Sequence, residues 1–279
     1  NASSERSRRT KFTFYSFLFP QTLTVETADG KTVTIHRNEL NRSKRPEVEG
    51  RWLSAGKIAY IRIPSFAGPQ FEATALEWVK KFRNANALII DLRGNGGGNT
   101  PVKLIDALQD RPYRFWSEST PVTFGLFKAY AQIYQMFKHQ LPETRKAYLE
   151  NVSGIFSHSQ LLWPSTWEEP DSTLYTGKLI FLVDRRCASA CEDFVVPFKD
   201  NHRAVIIGER TMGSSGQPFI QPFEGGISVA IGTKREYMPD GTPFEGVGIA
   251  PDIEVMPTVK DLRNGRDVVL KRALSVAKQ

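Results

Sequence analysis

Alternation of apolar and polar positions begins early in the chain. Thr22-Leu23-Thr24-Val25-Glu26-Thr27 and Lys31-Thr32-Val33-Thr34-Ile35-His36 each repeat with period two, and Asp29-Gly30 lies between them. That pattern predicts two half-buried strands joined by a hairpin turn. Two strands alone are marginal in water. The hairpin is therefore expected to dock on the following domain, or to end a domain that starts before Asn1. Asn41 to Glu49 is polar and charged and reads as a linker. Ile58-Ala59-Tyr60-Ile61-Arg62-Ile63 predicts a strand, and Phe71 to Asn84 a helix with Leu76, Val79 and Phe82 on one face. Ala87-Leu88-Ile89-Ile90-Asp91-Leu92 is a continuous apolar run, the mark of a strand buried on both faces. Thr100 to Leu108 predicts a further helix.

Residues 113–175 break this rhythm. Phe124 to Phe137 and Glu143 to Phe156 have helical, aromatic-rich spacing, and Trp116, Trp163 and Trp167 add large apolar surface. An inserted cap and plain core helices both fit. The sheet then resumes: Lys178 to Asp184 is a strand, Ser189 to Phe198 a helix, Ala204 to Gly208 and Ile227 to Thr233 strands, and Asp261 to Lys278 one amphipathic helix. Strands alternating with helices imply a parallel or mixed sheet covered by helices, an α/β fold.

Composition narrows the classes without naming one. Of 279 residues 40% are hydrophobic and 24% charged, as in soluble globular proteins. No apolar run approaches the ~18 residues of a membrane span. With Asn1 first and no signal peptide visible, the chain is expected to be a mature product or a fragment. The net charge of +7 owes much to Arg6, Arg8, Arg9 and Lys11 and to Arg42, Lys44 and Arg45. These runs lack interleaved aromatics, so they read as solvated surface and no nucleic-acid partner is expected. Residues 1–10 read as a mobile arm. Cys187 and Cys191 are the two cysteines. Their spacing is no zinc pattern, and no metal or cofactor is expected. They are expected to pack as small apolar residues at the start of a helix.

Two segments can carry chemistry. Ser189 follows a buried strand and opens a helix, at the carboxyl edge of the sheet where α/β proteins place their sites. The amide of Ala190, in the first helical turn, lacks an internal partner and can stabilise an oxyanion if Ser189 attacks a carbonyl. A helix-capping serine is the bland alternative. Asp91-Leu92-Arg93-Gly94-Asn95-Gly96-Gly97-Gly98 places four glycines directly after a buried strand. A plain turn, a phosphate cradle and a second oxyanion donor all fit, although neither the P-loop nor the G-x-G-x-x-G spacing is present.

These two segments, with Gly208-Glu209-Arg210-Thr211-Met212-Gly213, Pro239-Asp240-Gly241 and Gly246-Val247-Gly248-Ile249-Ala250-Pro251-Asp252, resemble peptidase family S41, the tail-specific or C-terminal processing peptidases. The motifs keep the family's order and span roughly residues 56–275. The resemblance implies a ClpP/crotonase-like α/β core with a mixed sheet, preceded by the end of a PDZ-like β domain. Residues 1–50 would hold the arm, the PDZ-like remnant and the linker. Residues 51–112 and 176–279 would form the core, and 113–175 the helical insertion. It also implies Ser189 as nucleophile, with an oxyanion hole from the amides of Ala190 and Gly98, Gly97 being the neighbouring choice.

The lysine base of the bacterial members would fall at Ser214, followed by Ser215-Gly216-Gln217, and no lysine lies between Lys199 and Lys234. The resemblance therefore leans to the tricorn-core-like branch, in which a histidine is the base and a glutamate, here Glu245, supports it. Ser214 and Gln217 remain as supporting candidates. His36, His139, His158 and His202 all lie outside the motifs, so the base is expected upstream of Asn1. A protein or peptide substrate and a periplasmic or extracellular location are implied in the same way. A catalytically silent peptide- or lipid-binding module is the alternative.

Overall fold

A computed structural model describes residues 20–27, 29–36, 47–54, 57–137 and 159–279. The helix expected over 143–156, the arm over 1–10, most of the linker, His139 and His158 lie outside the described residues.

The core is a six-stranded mixed sheet. Strands β3 (Glu49–Ser54), β4 (Ile58–Arg62), β5 (Ala87–Asp91), β10 (Lys178–Val183), β11 (Ala204–Gly208) and β15 (Ile253–Glu254) lie in the order β15-β11-β10-β5-β4-β3. Every pairing is parallel except β3 with β4, which is antiparallel and bulged between Trp52 and Ser54. Period-two alternation sends the strand side chains into two layers. Ala59, Ile61, Leu88, Ile90, Phe181 and Val183 pack under α1 (Pro69–Lys81), α2 (Val102–Leu108) and α4 (Ala190–Asp200). Ile58, Tyr60, Ile89, Ile180 and Leu182 pack under α6 (Val268–Ala277) on the other face. Both layers being apolar explains why β5 and β10 have continuous apolar sequences.

Four expectations need correction. The terminal helix is two: α5 (Val259–Arg263) and α6. Gly265, at φ +62, ends the first, and the Asp267 carboxylate caps the second by accepting the Leu270 amide at 2.9 Å. Glu49 is not linker but the start of edge strand β3. Residues 113–175 are not purely helical. Helix α3 (Phe124–Phe137) is there, but so are β6 (Tyr113–Arg114), β7 (Ser117–Pro121), β8 (Gln160–Trp163) and β9 (Trp167–Glu168). Strand β7 sits between β8 and β14 (Glu236–Tyr237) in a small sheet, and β6 pairs with β9. Finally, Cys187 and Cys191 do not pack as free thiols but form a disulfide.

Strands β1 (Thr22–Glu26) and β2 (Thr32–His36) form the expected antiparallel hairpin. Among the described residues it remains a two-stranded sheet of its own. Strands β12 (Pro218–Pro222) and β13 (Ser228–Gly232) form a second exposed hairpin. No described helix is long and apolar enough to cross a membrane.

Candidate functional site

The site forms where β5 and β10 end. Chain leaving β10 turns through Asp184 to Ala188 and enters α4 at Ser189. Ser189 has φ 56° and ψ −129°, a conformation that L residues avoid, and its side chain makes no capping bond. That disposes of the capping alternative, which requires extended backbone and a hydroxyl turned onto the helix amides. The turn has instead the form of a nucleophile elbow, with a half-buried serine whose hydroxyl takes no partner among the described residues.

The glycine loop is tied to this turn. Asp184 Oδ1 accepts the amides of both Gly94 and Arg186 at 2.9 Å. Ala188 donates its amide to the Asn95 carbonyl at 3.1 Å, and Ser189 its own to the Ser214 carbonyl at 2.9 Å. Asn95 is fully buried: its Nδ2 donates to the Ile63 carbonyl at 3.1 Å, and its Oδ1 accepts the Gly97 amide at 2.9 Å. Gly97 is thus no oxyanion donor. Its role is space. A Cβ there would lie 2.7 Å from Ser189 Cβ and 2.6 Å from the Ala188 carbonyl oxygen. Gly98 is pressed against the Phe66 backbone, where a Cβ would come within 2.1 Å. The amides of Gly98 and Ala190 take no partner among the described residues. The phosphate-cradle alternative loses its basis, because the Gly94, Asn95 and Gly97 amides are all committed within the fold.

Behind Ser189 lies a network with no forecast in the sequence. Glu192, one turn into α4, is fully buried. Its carboxylate accepts the Thr211 hydroxyl at 2.5 Å and the amides of Gly213 and Ser214 at 2.7 and 3.0 Å. It thereby fixes the loop whose Ser214 carbonyl holds the Ser189 amide. Burial pushes the Glu192 carboxyl up to about 7, against the hydrogen bonds that favour its charged form. Asp193 accepts Trp116 Nε1 and the Ser215 hydroxyl, both at 2.9 Å, and the Thr100 hydroxyl at 2.7 Å. Glu236 is buried, and its Oε2 has no hydrogen-bond partner among the described residues; burial, then the Asp193 charge, pushes it up to about 8. Lys234 pairs with Glu118 at 2.8 Å.

Of the remaining candidates, Glu245 sits in the facing loop, its Oε1 3.4 Å from the Gly216 amide. That loop is locked by Gly246 N–H to the Gly213 carbonyl and by Ile249 N–H to the Thr211 hydroxyl, both at 2.7 Å. Ser214 is tied in by its backbone, its amide donating to Glu192 and its carbonyl accepting the Ser189 amide. Gln217 accepts the Thr233 hydroxyl on its carbonyl at 2.6 Å, and among the described residues no hydrogen bond joins its side chain to Ser189. His202 lies past the far end of α4, roughly 16 Å of helix from Ser189. His36 lies exposed in the first hairpin beside Thr22 Oγ1. A separate open pocket of about 720 Å³ lies across Gly94, lined by Arg62, Arg93, Asp184 and Arg186 among others. Ser189 does not line it.

A mixed α/β core carrying a strained serine beside two amides that take no partner among the described residues is an arrangement that more than one class of protein can share. Known proteins say which. The sequence profile of peptidase family S41 matches residues 57–255, most of the chain, and the chain belongs to that family. It is 26% identical over 225 residues to carboxyl-terminal-processing peptidase 2 of the Arabidopsis thaliana chloroplast, covering 79% of this chain and 36% of that protein. To the tail-specific protease of Haemophilus influenzae it is 29% identical over 261 residues, covering 88% and 32%. The chain therefore spans about a third of the length of these curated relatives. Mature CPAF complexed with lactacystin superposes with a TM-score of 0.61 at 19% identity, over 92% of this chain and 53% of that one. A peptidase from Parabacteroides merdae gives 0.60 at 18% identity, over 92% and 77%. At these identities the superpositions establish the fold.

Proposed function

We propose that this chain is the catalytic part of a serine endopeptidase. Ser189 Oγ attacks the peptide carbonyl carbon, and the tetrahedral oxyanion accepts hydrogen bonds from the Ala190 and Gly98 amides. The serine proton passes to a histidine supplied from outside the described residues, which returns it to the leaving amine. Water then cleaves the acyl-enzyme by the reverse path. Glu245 orients that histidine and stabilises its charged form. The observation that carries the reading is the Ser189 backbone at φ 56°, with a hydroxyl and two nearby amides that take no partner among the described residues. The relatives' names, processing and tail-specific proteases, support a protein or peptide substrate. A location outside the cytoplasm fits the Cys187–Cys191 disulfide, since disulfides persist in oxidising compartments. The first hairpin is read as the end of a PDZ-like domain.

The test is hydrolysis of an unstructured polypeptide by the full-length protein and by Ser189→Ala and Glu245→Gln variants. Ser189→Ala should lose activity by roughly a million-fold and Glu245→Gln by roughly 100- to 10,000-fold. Full activity in Ser189→Ala rejects the mechanism; no activity in any form favours a silent binding module.

A further inference from the structure

The Ser189 conformation is costly and has a specific competitor. A residue held at φ 56°, ψ −129° persists only where its surroundings over-determine it. If φ relaxes to the extended region, Ser189 becomes an ordinary helix cap, its hydroxyl turned onto an amide of the first helical turn. In that state the hydroxyl is spent and the elbow is gone. Hydrogen bonds resist this relaxation on the outer side of the turn: Cys187 N–H to the Asp184 carbonyl, Ala188 N–H to the Asn95 carbonyl, Ser189 N–H to the Ser214 carbonyl and Met212 N–H to the Cys187 carbonyl.

One covalent link acts on the turn itself. Cys187 lies two residues before Ser189 and Cys191 two residues after, and the bond between them closes the chain into a ring with Ser189 at its centre. Both cysteines are fully buried, so the bond lies inside the turn, away from solvent. It connects the segment hydrogen-bonded to the glycine loop with the first turn of α4, the two bodies whose relative direction sets φ and ψ at Ser189. A cross-link between residues four apart removes little chain entropy compared with one closing a long loop. Its effect falls on local geometry.

We infer that the Cys187–Cys191 disulfide is a positioning element for Ser189, excluding the capping conformation and holding the hydroxyl in its reactive one. The inference rests on the proposed serine-peptidase chemistry for its kinetic consequence, and on the backbone alone for its structural one. Both cysteines are fully buried, out of reach of a substrate at the surface. The nucleophile is then set only once the two thiols have passed two electrons and two protons to a disulfide oxidant, itself reduced to two thiols by exchange, which couples activity to an oxidising compartment.

The test compares the full-length protein with Cys187→Ala/Cys191→Ala and Cys187→Ser/Cys191→Ser double variants. Four properties are measured: fluorophosphonate labelling rate, kcat and KM on a peptide, melting temperature, and hydrogen exchange of the Ser189 amide. Labelling rate and kcat should fall at least tenfold in a variant that still melts cooperatively, with KM within about twofold. A purely structural bond would lower the melting temperature and leave kcat of the folded enzyme unchanged, which overturns the inference. Exchange of the Ser189 amide, bonded to the Ser214 carbonyl, should speed up at least tenfold. Unchanged exchange overturns the inference, as does recovery of two free thiols from the native protein denatured without reductant. If the unmodified protein fails to label, the peptidase reading fails instead, and Ser189 exchange alone decides the disulfide's role.

Discussion

Gly97→Ala is the sharpest perturbation of the site, because everything it meets is rigid. The added Cβ would lie 2.6 Å from the Ala188 carbonyl oxygen, 2.7 Å from Ser189 Cβ and 2.9 Å from the Ala190 nitrogen. None is the end of a flexible side chain. Gly97 also has φ +94°, where an alanine is strained by about 1–2 kcal/mol. Relieving the overlaps needs a displacement of roughly 0.5–1 Å between the glycine loop and the elbow, and overpacking of this kind costs about 1–3 kcal/mol. The total, about 2–5 kcal/mol, should lower the melting temperature by roughly 4–20 °C for a domain of this size. The kinetic effect should be of comparable size, since about 1 Å of misplacement at a reacting centre costs roughly 100-fold, or about 2.7 kcal/mol. Gly96→Ala is the matched control one residue away, where an added Cβ meets nothing within 4 Å. Fluorophosphonate labelling and scanning calorimetry of both variants read the two effects. Gly97→Ala labelling at the rate of Gly96→Ala would refute the claim that Gly97 serves close approach to Ser189.

Two further outcomes follow from the buried carboxyls. Glu192→Ala leaves the Thr211 hydroxyl and the Gly213 and Ser214 amides without their acceptor. At about 1–3 kcal/mol for each unsatisfied buried group it should lower the melting temperature by more than 5 °C, while Glu192→Gln, which keeps an acceptor, should cost less than half as much. Equal losses in the two variants would contradict this. Stability should also fall between pH 5.5 and 8.5. Glu192 and Glu236 titrate at about 7 and about 8 in the folded protein against 4.5 when unfolded, so the folded state binds more protons across that window. The stabilisation is complete below about 4.5 and lost as pH rises through 7 to 8. Glu192 alone accounts for about 3 kcal/mol on this basis. Denaturant midpoints that stay flat or rise with pH over this range would count against it.

The sheet was legible wherever burial on both faces left a simple trace. The apolar runs of β5 and β10 announced themselves, and the strand-to-helix junction at Ser189 followed from the residues after β10, although its φ of 56° did not. Edge strand β3 did not, since Glu49, Gly50 and Arg51 face solvent or Trp78 and carry no alternation. The break between α5 and α6 was signalled by Asn264-Gly265 and Asp267, but helical periodicity continues across them and hid it. The disulfide was hidden for a different reason: two cysteines four apart in a helical register point along one face, and only the turn at Ser189 swings Cys187 onto Cys191. Which glycine amide is committed within the fold turns on the side-chain amide of Asn95, which accepts the Gly97 amide, a matter of orientation that spacing does not encode. Glu192 was visible as a residue of the motif, one turn from Ser189. Its burial depends on the loop 211–214 closing over it, a contact between distant segments.

The account stands on Ser189 being the nucleophile. The most direct measurement is mass spectrometry of the peptide that carries the adduct after the full-length protein reacts with a fluorophosphonate. The account predicts one stoichiometric adduct on Ser189, abolished in Ser189→Ala and slowed in Gly97→Ala. A stable adduct on another serine, or labelling that survives Ser189→Ala, would contradict it.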